Sequence, residues 1–551
     1  MSVCVRTIKF ASLDVAVKPT NLNRVMNSTT SPMATSPSRQ VLVLIAVILA
    51  CFSVPLNFTA GPTAQPYIAK DLVGGAAALS WITNAFFLSC GSTLMAAGAM
   101  ADQYGRKKIF AIGMVVSTVM SFLMPFASSV FTLDLLRVPQ GLAAACAYSG
   151  GISILAQEFE GHARTRIFSV IGITFGAGLA FGPTIAGILI TLLSWRAVFF
   201  GSTIISLVAL VLCVTSMTDS KDPNARGLDW WGASIFTLML SCFTFAMIEA
   251  PTAGWTAPLT IGLFALSAVA LVVFVVVEKR VANPMLDLSL FAYPQFVGVQ
   301  LLPLAAAYCY AVLLVVLPLR FIGIENLSAL QSGVLMIYFS GSLLFIPFVA
   351  ASMTRYVPVG VLAGVGMLIS VIGMFFLMHV PIGDHGMAMR INLAVIGFGV
   401  AIPWGLMDNL AVSVVPKEKA GMAIGIFGAL RVSFDTTAIA IVGSLLAFFI
   451  ARNLGAIPGL DPQAVAVASA QLSAGAVPKA LSQLPSVTHA QWLDAYDLAF
   501  RHLLIALMTL TSAATLLVFG LLGRVSLNHD ESNAESSLGV TLTKELSGQE
   551  S

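Results

Sequence analysis

From about residue 41 onward the sequence is a succession of long apolar runs separated by short polar loops. About 20 apolar residues in a helix cross the ~30 Å of hydrocarbon in a bilayer, because no water is there to pair an open backbone. The runs fall near 41–62, 79–100, 109–128, 131–155, 167–192 and 197–217, then 230–250 and 259–277, then 296–318, 332–352, 358–378, 390–414, 421–447 and 501–523. They lack the period-two alternation of barrel strands. The composition agrees: 58% hydrophobic and 10% charged over 551 residues, with a mean hydropathy of +0.92. The fold class expected is an all-α polytopic membrane protein with about 14 spans in a 6 + 2 + 6 arrangement. Residues 1–40 and 524–551 are polar and read as disordered tails. The first run is long enough to span, which argues against a cleaved signal peptide.

Orientation follows from the loops that keep Lys and Arg. One alternate set carries Arg106, Lys107, Lys108, Arg164, Arg166, Lys221, Arg226, Lys279, Arg280, Arg355, Lys417 and Lys419, flanked by Arg39 and Arg524. The other carries Lys70, Arg196, Arg320, Arg390, Arg452 and Lys479. Both ends are therefore expected in the cytoplasm, with the chain multi-pass in a cell (inner) membrane. A net charge of +3 is too small to attract nucleic acid. The seven cysteines show no CxxC spacing, so no metal and no disulfide are expected. No phosphate-binding GxxxxGK[ST] loop occurs, so no cofactor is expected and an ion gradient is the energy source.

Six, two and six suggest an N-terminal bundle at 41–217, two extra peripheral helices at 230–277 and a C-terminal bundle at 296–523. Two such bundles around a midplane cavity suit alternating access. The long loop 452–498 reads as a solvated connector.

Between the second and third runs stands Gly98-Ala-Met-Ala-Asp102-Gln-Tyr-Gly105-Arg106-Lys107-Lys108. It resembles the signature loop of the major facilitator superfamily, Gly-x-x-x-Asp-Arg-x-Gly-Arg-Lys, with Gln103 in place of the first arginine. A glycine at a helix end allows close approach of a neighbour, and Asp102 can meet another helix N-terminus or Arg106 as a cytoplasmic latch. The fourth run carries Leu133-Asp134-Leu-Leu-Arg137-Val-Pro139-Gln140-Gly141, similar to the family pattern Leu-x-x-x-Arg-x-x-Gln-Gly. A cation in hydrocarbon costs roughly 2.5–3.5 kcal/mol, so Arg137 needs a partner or a task. Asp134, one turn away, is the partner on offer, and proton coupling is the task. The fifth run holds Gly178 and Gly182-Pro183-Thr-Ile-Ala186-Gly187, which resembles the Gly-Pro-x-x-Gly-Gly of the antiporter branches. Together these motifs suggest the fourteen-helix drug:proton antiporter branch, over about residues 41–523.

That branch usually carries an acid in its first helix, whereas this chain has Leu56-Asn57-Phe58-Thr59. Asn57 does not titrate, so Asp408 and Asp435 become the candidate proton carriers. Arg431, one turn from Asp435, is expected to pair with it; Asp408 has no helix-local cation and is the preferred carrier. Asn57, Gln65, Gln140, Tyr148, Tyr308 and Trp404 are candidate lining of the substrate cavity. The resemblance implies export of small amphipathic or drug-like compounds by proton antiport. A dedicated exporter of one metabolite, or a symporting importer, stays open, and so do a monomer and an assembly with an adaptor and outer-membrane channel. An enzyme is disfavoured because the histidines lie in or near loops, tails and helix ends. A transport-dead receptor is the remaining alternative.

Overall fold

A computed structural model of the chain describes residues 37–159, 161–221, 229–281, 284, 286–415 and 420–523. The tail expected at 1–40 overlaps the first helical turn; the rest of it, residues 524–551, and Arg226, Lys417 and Lys419 lie outside the described residues. Among the described residues there is no strand, and 14 helices are long and apolar enough to cross a membrane. These are α1 (Ser38–Asp71), α2 (Ala76–Tyr104), α3 (Arg106–Phe126), α4 (Val130–Glu158), α5 (Val170–Leu192), α6 (Trp195–Ser216), α7 (Trp230–Ala253), α8 (Pro258–Glu278), α9 (Pro294–Ile324), α10 (Ala329–Met353), α11 (Val359–Leu377), α12 (Met387–Ala411), α13 (Ile426–Leu454) and, after two short loop helices, α16 (His489–Leu522). An even number of crossings puts the start of α1 and the end of α16 on one face, here the near face; the opposite face is the far face.

The helices overrun the apolar runs that announce them. α16 begins at His489 rather than near 501, because Thr488 and Gln491 form a capping box and Trp492, Tyr496 and Phe500 are buried. Between α2 and α3 the chain turns at Gly105, whose φ of 121° lies where L-residues are strained. α9 is the irregular span: two π-helical stretches, Ala307–Ala311 and Leu319–Ile324, interrupt it.

Within the first six helices, α4 packs on α2 and α3, and α1 packs on α4, α5 and α6. In the second six, α11 packs on α12 and α16, and α13 on α16. The two sets meet where α5 runs along α10 and where α2 runs along α13. Of the extra hairpin expected at the periphery, α8 stays outermost and α7 does not. α8 packs chiefly on α7, but α7 sits against both α2 and α13, with Trp81 and Phe245 rings 5.6 Å apart and the Ser444 hydroxyl donating to the Met247 carbonyl.

The loop 452–498 also differs from expectation. It folds into α14 (Pro462–Ser473) and α15 (Val477–Gln483), and buries Val465, Ala468, Leu472, Ala480 and Leu484. Asp461 caps α14 by accepting the Ala464 N–H at 2.9 Å. Alanine-rich helices with one apolar face look like polar connector in the sequence; here they roof the far face.

Candidate functional site

The first half contains a buried polar network centred on Arg137, which is 0% exposed. Its Nε donates to the Ile82 carbonyl at 2.8 Å, Nη1 to Gln140 Oε1 at 2.9 Å and Nη2 to the Asn57 carbonyl at 3.2 Å. Gln140 Nε2 donates to Asn57 Oδ1 at 3.2 Å and to Ser121 Oγ at 2.8 Å, and Ser202 Oγ donates to Asn57 Oδ1 at 3.2 Å. The guanidinium lies over Phe86, 4.9 Å from its centroid. Gly61 makes the room: a Cβ there would stand 2.5 Å from Arg137 Nη2. The expected pair with Asp134 is not made. Asp134 forms no ion pair with Arg137, and its Oδ1 is buried without a hydrogen bond. Neutral dipoles, with Asn57 in the place of the family acid, hold the cation.

At the near face, Arg106 Nε meets Asp102 Oδ1 at 2.9 Å, and Arg106 Nη1 donates to Gln157 Oε1 at 2.9 Å. Lys107 Nζ donates to the Met217 carbonyl at 2.6 Å, and Lys108 Nζ stands 3.7 Å from Asp219 Oδ2. Every described polar contact of this loop thus stays within or just beyond the first six helices. Gly98 departs from its expected role: a Cβ on it would meet nothing within 4 Å.

The α5 glycines divide into two faces. Gly178 lies against Pro55 and Gly182 against Thr59, both on α1, while Gly187 lies against the Ala329 backbone of the second half. Beside Pro183, Thr184 Oγ1 donates to the Gly333 carbonyl at 2.8 Å. The halves are further tied at the far face by the Ala329 N–H donating to Tyr67 Oη at 3.0 Å, by Gln65 Nε2 donating to the Ala474 carbonyl at 2.9 Å, and by Lys479 Nζ donating to the Leu72 and Gly74 carbonyls, both at 3.2 Å. The far side is closed by contacts between halves and by the roof.

Beneath that closure a small cavity lies between α1, α2, α7, α9, α13 and α14. Gln65, Ser80, Thr83, Asn84, Thr252 and Ser444 give it hydrogen-bonding groups, and Val312, Val315, Val316 and Ile439 an apolar wall. Gln65 is on this wall. Asn57 and Gln140 line a second, smaller cavity inside the first half. Tyr148, Tyr308 and Trp404 are on neither. The contributions of α7 and α14 were not legible in the sequence, since neither carries a motif.

Trp404 belongs to a second cluster toward the near face. Arg431 lies over its ring at 3.9 Å, and Tyr310 packs edge-on to it at 5.6 Å. Arg431 Nη1 stands 3.8 Å from Asp408 Oδ1, and no ion pair joins it to Asp435. The expected pairing is therefore exchanged. Asp408, preferred for want of a cation, has one from a neighbouring helix, whereas Asp435 has no ion-pair partner among the described residues. Tyr148, from the first half, lies within electrostatic reach of Asp408 and Arg431. Tyr308 is partly buried against the core of the second half. No grouping of three metal-ligating side chains occurs among the described residues.

Comparison with known proteins agrees with this architecture. The family model described as Major Facilitator Superfamily matches residues 44–434. The "Multidrug resistance protein Stp" of Mycobacterium tuberculosis is 28% identical over 75% of this chain and 77% of its own. The "Tetracenomycin C resistance and export protein" of Streptomyces glaucescens is 27% identical over 83% of this chain and 88% of its own. Among solved structures, an inward-facing bacterial homologue of the human lysosomal transporter Spinster superposes with a TM-score of 0.60, at 16% identity, over 90% of this chain and 98% of that one. With fourteen apolar helices among its described residues and a cavity between two six-helix sets, the chain belongs to the major facilitator superfamily and is a membrane transporter, not an enzyme.

Proposed function

We propose that the chain exports small amphipathic, drug-like compounds by proton antiport, alternating between near-face-open and far-face-open states. The observation that carries this reading is the cavity between the halves, closed over on the far side by bonds that join one half to the other. Its mixed apolar and uncharged polar wall suits an amphiphile. The names of the relatives, a multidrug resistance protein and an antibiotic export protein, support the same direction. The near face is then cytoplasmic, and the membrane the inner membrane of a bacterial cell.

The proton step falls to the second half. Arg431 stands between two acids, close to Asp408 and one helical turn from Asp435. Protonation of Asp408 releases Arg431 toward Asp435, and deprotonation draws it back. Because Arg431 is stacked on Trp404, that exchange moves an aromatic side chain beside Tyr310. Each proton charge moved down a 100 mV gradient supplies about 2.3 kcal/mol. Arg137 supplies a fixed positive charge in the first half.

The test is reconstitution in liposomes with an imposed pH gradient and a panel of dyes, lipophilic cations and neutral antibiotics. Uptake that needs the gradient, and is uncoupled from it in Asp408→Asn or Asp435→Asn, is expected. Gradient-independent flux refutes proton antiport, and full coupling in both variants refutes the assignment of the proton step to these two acids.

A further inference from the structure

A second group of ionisable side chains lies far from Asp408, at the far end of α9. Glu325 has a fully buried side chain, and both of its carboxylate oxygens are engaged. Oε1 accepts from Arg320 Nε at 2.6 Å, and Oε2 meets His385 Nε2 at 2.5 Å. Arg320 is itself 1% exposed, stacks over Phe500 of α16 at 4.6 Å, and keeps a buried Nη2 without a hydrogen-bond partner. His385, in the loop between α11 and α12, is the one member with substantial exposure, its side chain being 26% accessible. Other charged or titratable groups nearby are engaged elsewhere, Asp497 and Arg501 of α16 pairing with each other at 2.7 Å. Tyr496 of α16 lies within electrostatic reach of Arg320 and Glu325, Asp384 is engaged by the Gly386 N–H at 2.9 Å, and Arg390 of α12 lies over Tyr338.

This cluster sits where α9 meets the closure. Leu319, just before Arg320, lines the cavity between the halves. Gly323 lies against Gly475 of the roof, so closely that a Cβ on it would be 3.2 Å from the Gly475 Cα. Four residues beyond Glu325, the Ala329 N–H donates to Tyr67 of the first half. Whatever fixes the tip of α9 therefore fixes the seat of the roof and one of the bonds between halves.

We propose that His385, Glu325 and Arg320 form a proton-binding site on the far face, and that its protonated form holds the far side closed. With Glu325 ionised against Arg320, the His385 Nε2–H donates to Oε2, and Nδ1 takes the proton from the far-face solution. Imidazole is the side chain that ordinarily changes charge between pH 5 and 8. The added charge turns the His385–Glu325 hydrogen bond into an ion pair, which tightens the loop onto the tip of α9. Acid on the far side thus favours the return of an emptied transporter. This inference rests on alternation between two states, but it concerns a site separate from Asp408 and Asp435.

The experiment places spin labels at Leu193→Cys and Ser486→Cys, exposed far-face positions on the two halves, in a background with the native cysteines replaced. Distances are read in sealed proteoliposomes held at pH 8 inside while the external pH falls from 8 to 5. The closed-to-open ratio is expected to rise about fivefold or more, the low end of the coupling between linked binding sites. His385→Gln, which can still hydrogen-bond Glu325 but does not titrate there, is expected to abolish the rise, as is Glu325→Gln. An identical rise in His385→Gln overturns the proposal, as does a wild-type ratio that ignores pH yet responds to substrate. A ratio that responds to neither overturns the alternating reading on which it rests.

Discussion

Replacing Arg137 by methionine separates a structural cation from a functional one. The three hydrogen bonds lost are unequal. The Ile82 and Asn57 carbonyls belong to helices, where the backbone ladder still pairs them. Only Gln140 Oε1 loses its donor outright, a loss worth about 1–3 kcal/mol. Against it stands the cost of keeping a cation within the hydrocarbon span, roughly 2.5–3.5 kcal/mol by insertion scales. The terms nearly cancel, and methionine fills the space between Phe86 and Phe199 that the guanidinium occupies. Thermal unfolding of purified Arg137→Met is therefore expected to match wild type to within about 1.5 kcal/mol, while pH-driven flux in proteoliposomes falls by at least about tenfold. Destabilisation beyond about 4 kcal/mol, the range of a broken buried charge network, would refute the reasoning about the cation. Wild-type flux in a stable variant would refute its functional role.

Three other outcomes follow from the geometry. Gly187→Val places a side chain against the Ala329 backbone and is expected to prevent far-side closure, seen as faster thiol labelling of a cysteine introduced at Val316 on the cavity wall; unchanged labelling contradicts this. Gly105→Ala meets both a positive φ and Asp219, and is expected to lower stability by about 1–2 kcal/mol in thermal unfolding. Lys479→Ala removes both bonds from the roof to the α1–α2 turn, and hydrogen exchange at residues 462–483 is expected to accelerate while α11 and α12 stay protected.

The spans were legible because hydrocarbon thickness sets the length of each apolar run, and the even count followed. In the loop 98–108 the pairing of Asp102 with Arg106 was legible because the two stand one helical turn apart, whereas the packing expected of Gly98 is not made. The pairings were harder. Arg431 lies one turn from Asp435 in sequence, yet the nearer carboxylate belongs to Asp408 on another helix. Asp134 offered Arg137 a charge at helical spacing, yet the guanidinium turned to Ile82, Gln140 and Asn57. Glu325 and His385 are 60 residues apart and no motif joins them. The roof helices went unread because alanine is as common in connectors as in helices, and only the surface beneath them decides. Spacing along one helix reports neighbours on that helix; it is silent about the helix that packs against it.

The most direct test of the central claim, that the halves part at the far face during transport, is a reversible cross-link across the closure. Tyr67→Cys and Ala329→Cys stand where the two halves share a hydrogen bond. Because the gap spans a tyrosine side chain, too far for a direct disulfide, the two cysteines are bridged with a short bifunctional thiosulfonate reagent. Bridging is expected to stop flux in proteoliposomes, and reduction to restore it, with neither single variant responding. Undiminished flux through the fully cross-linked protein would contradict the account.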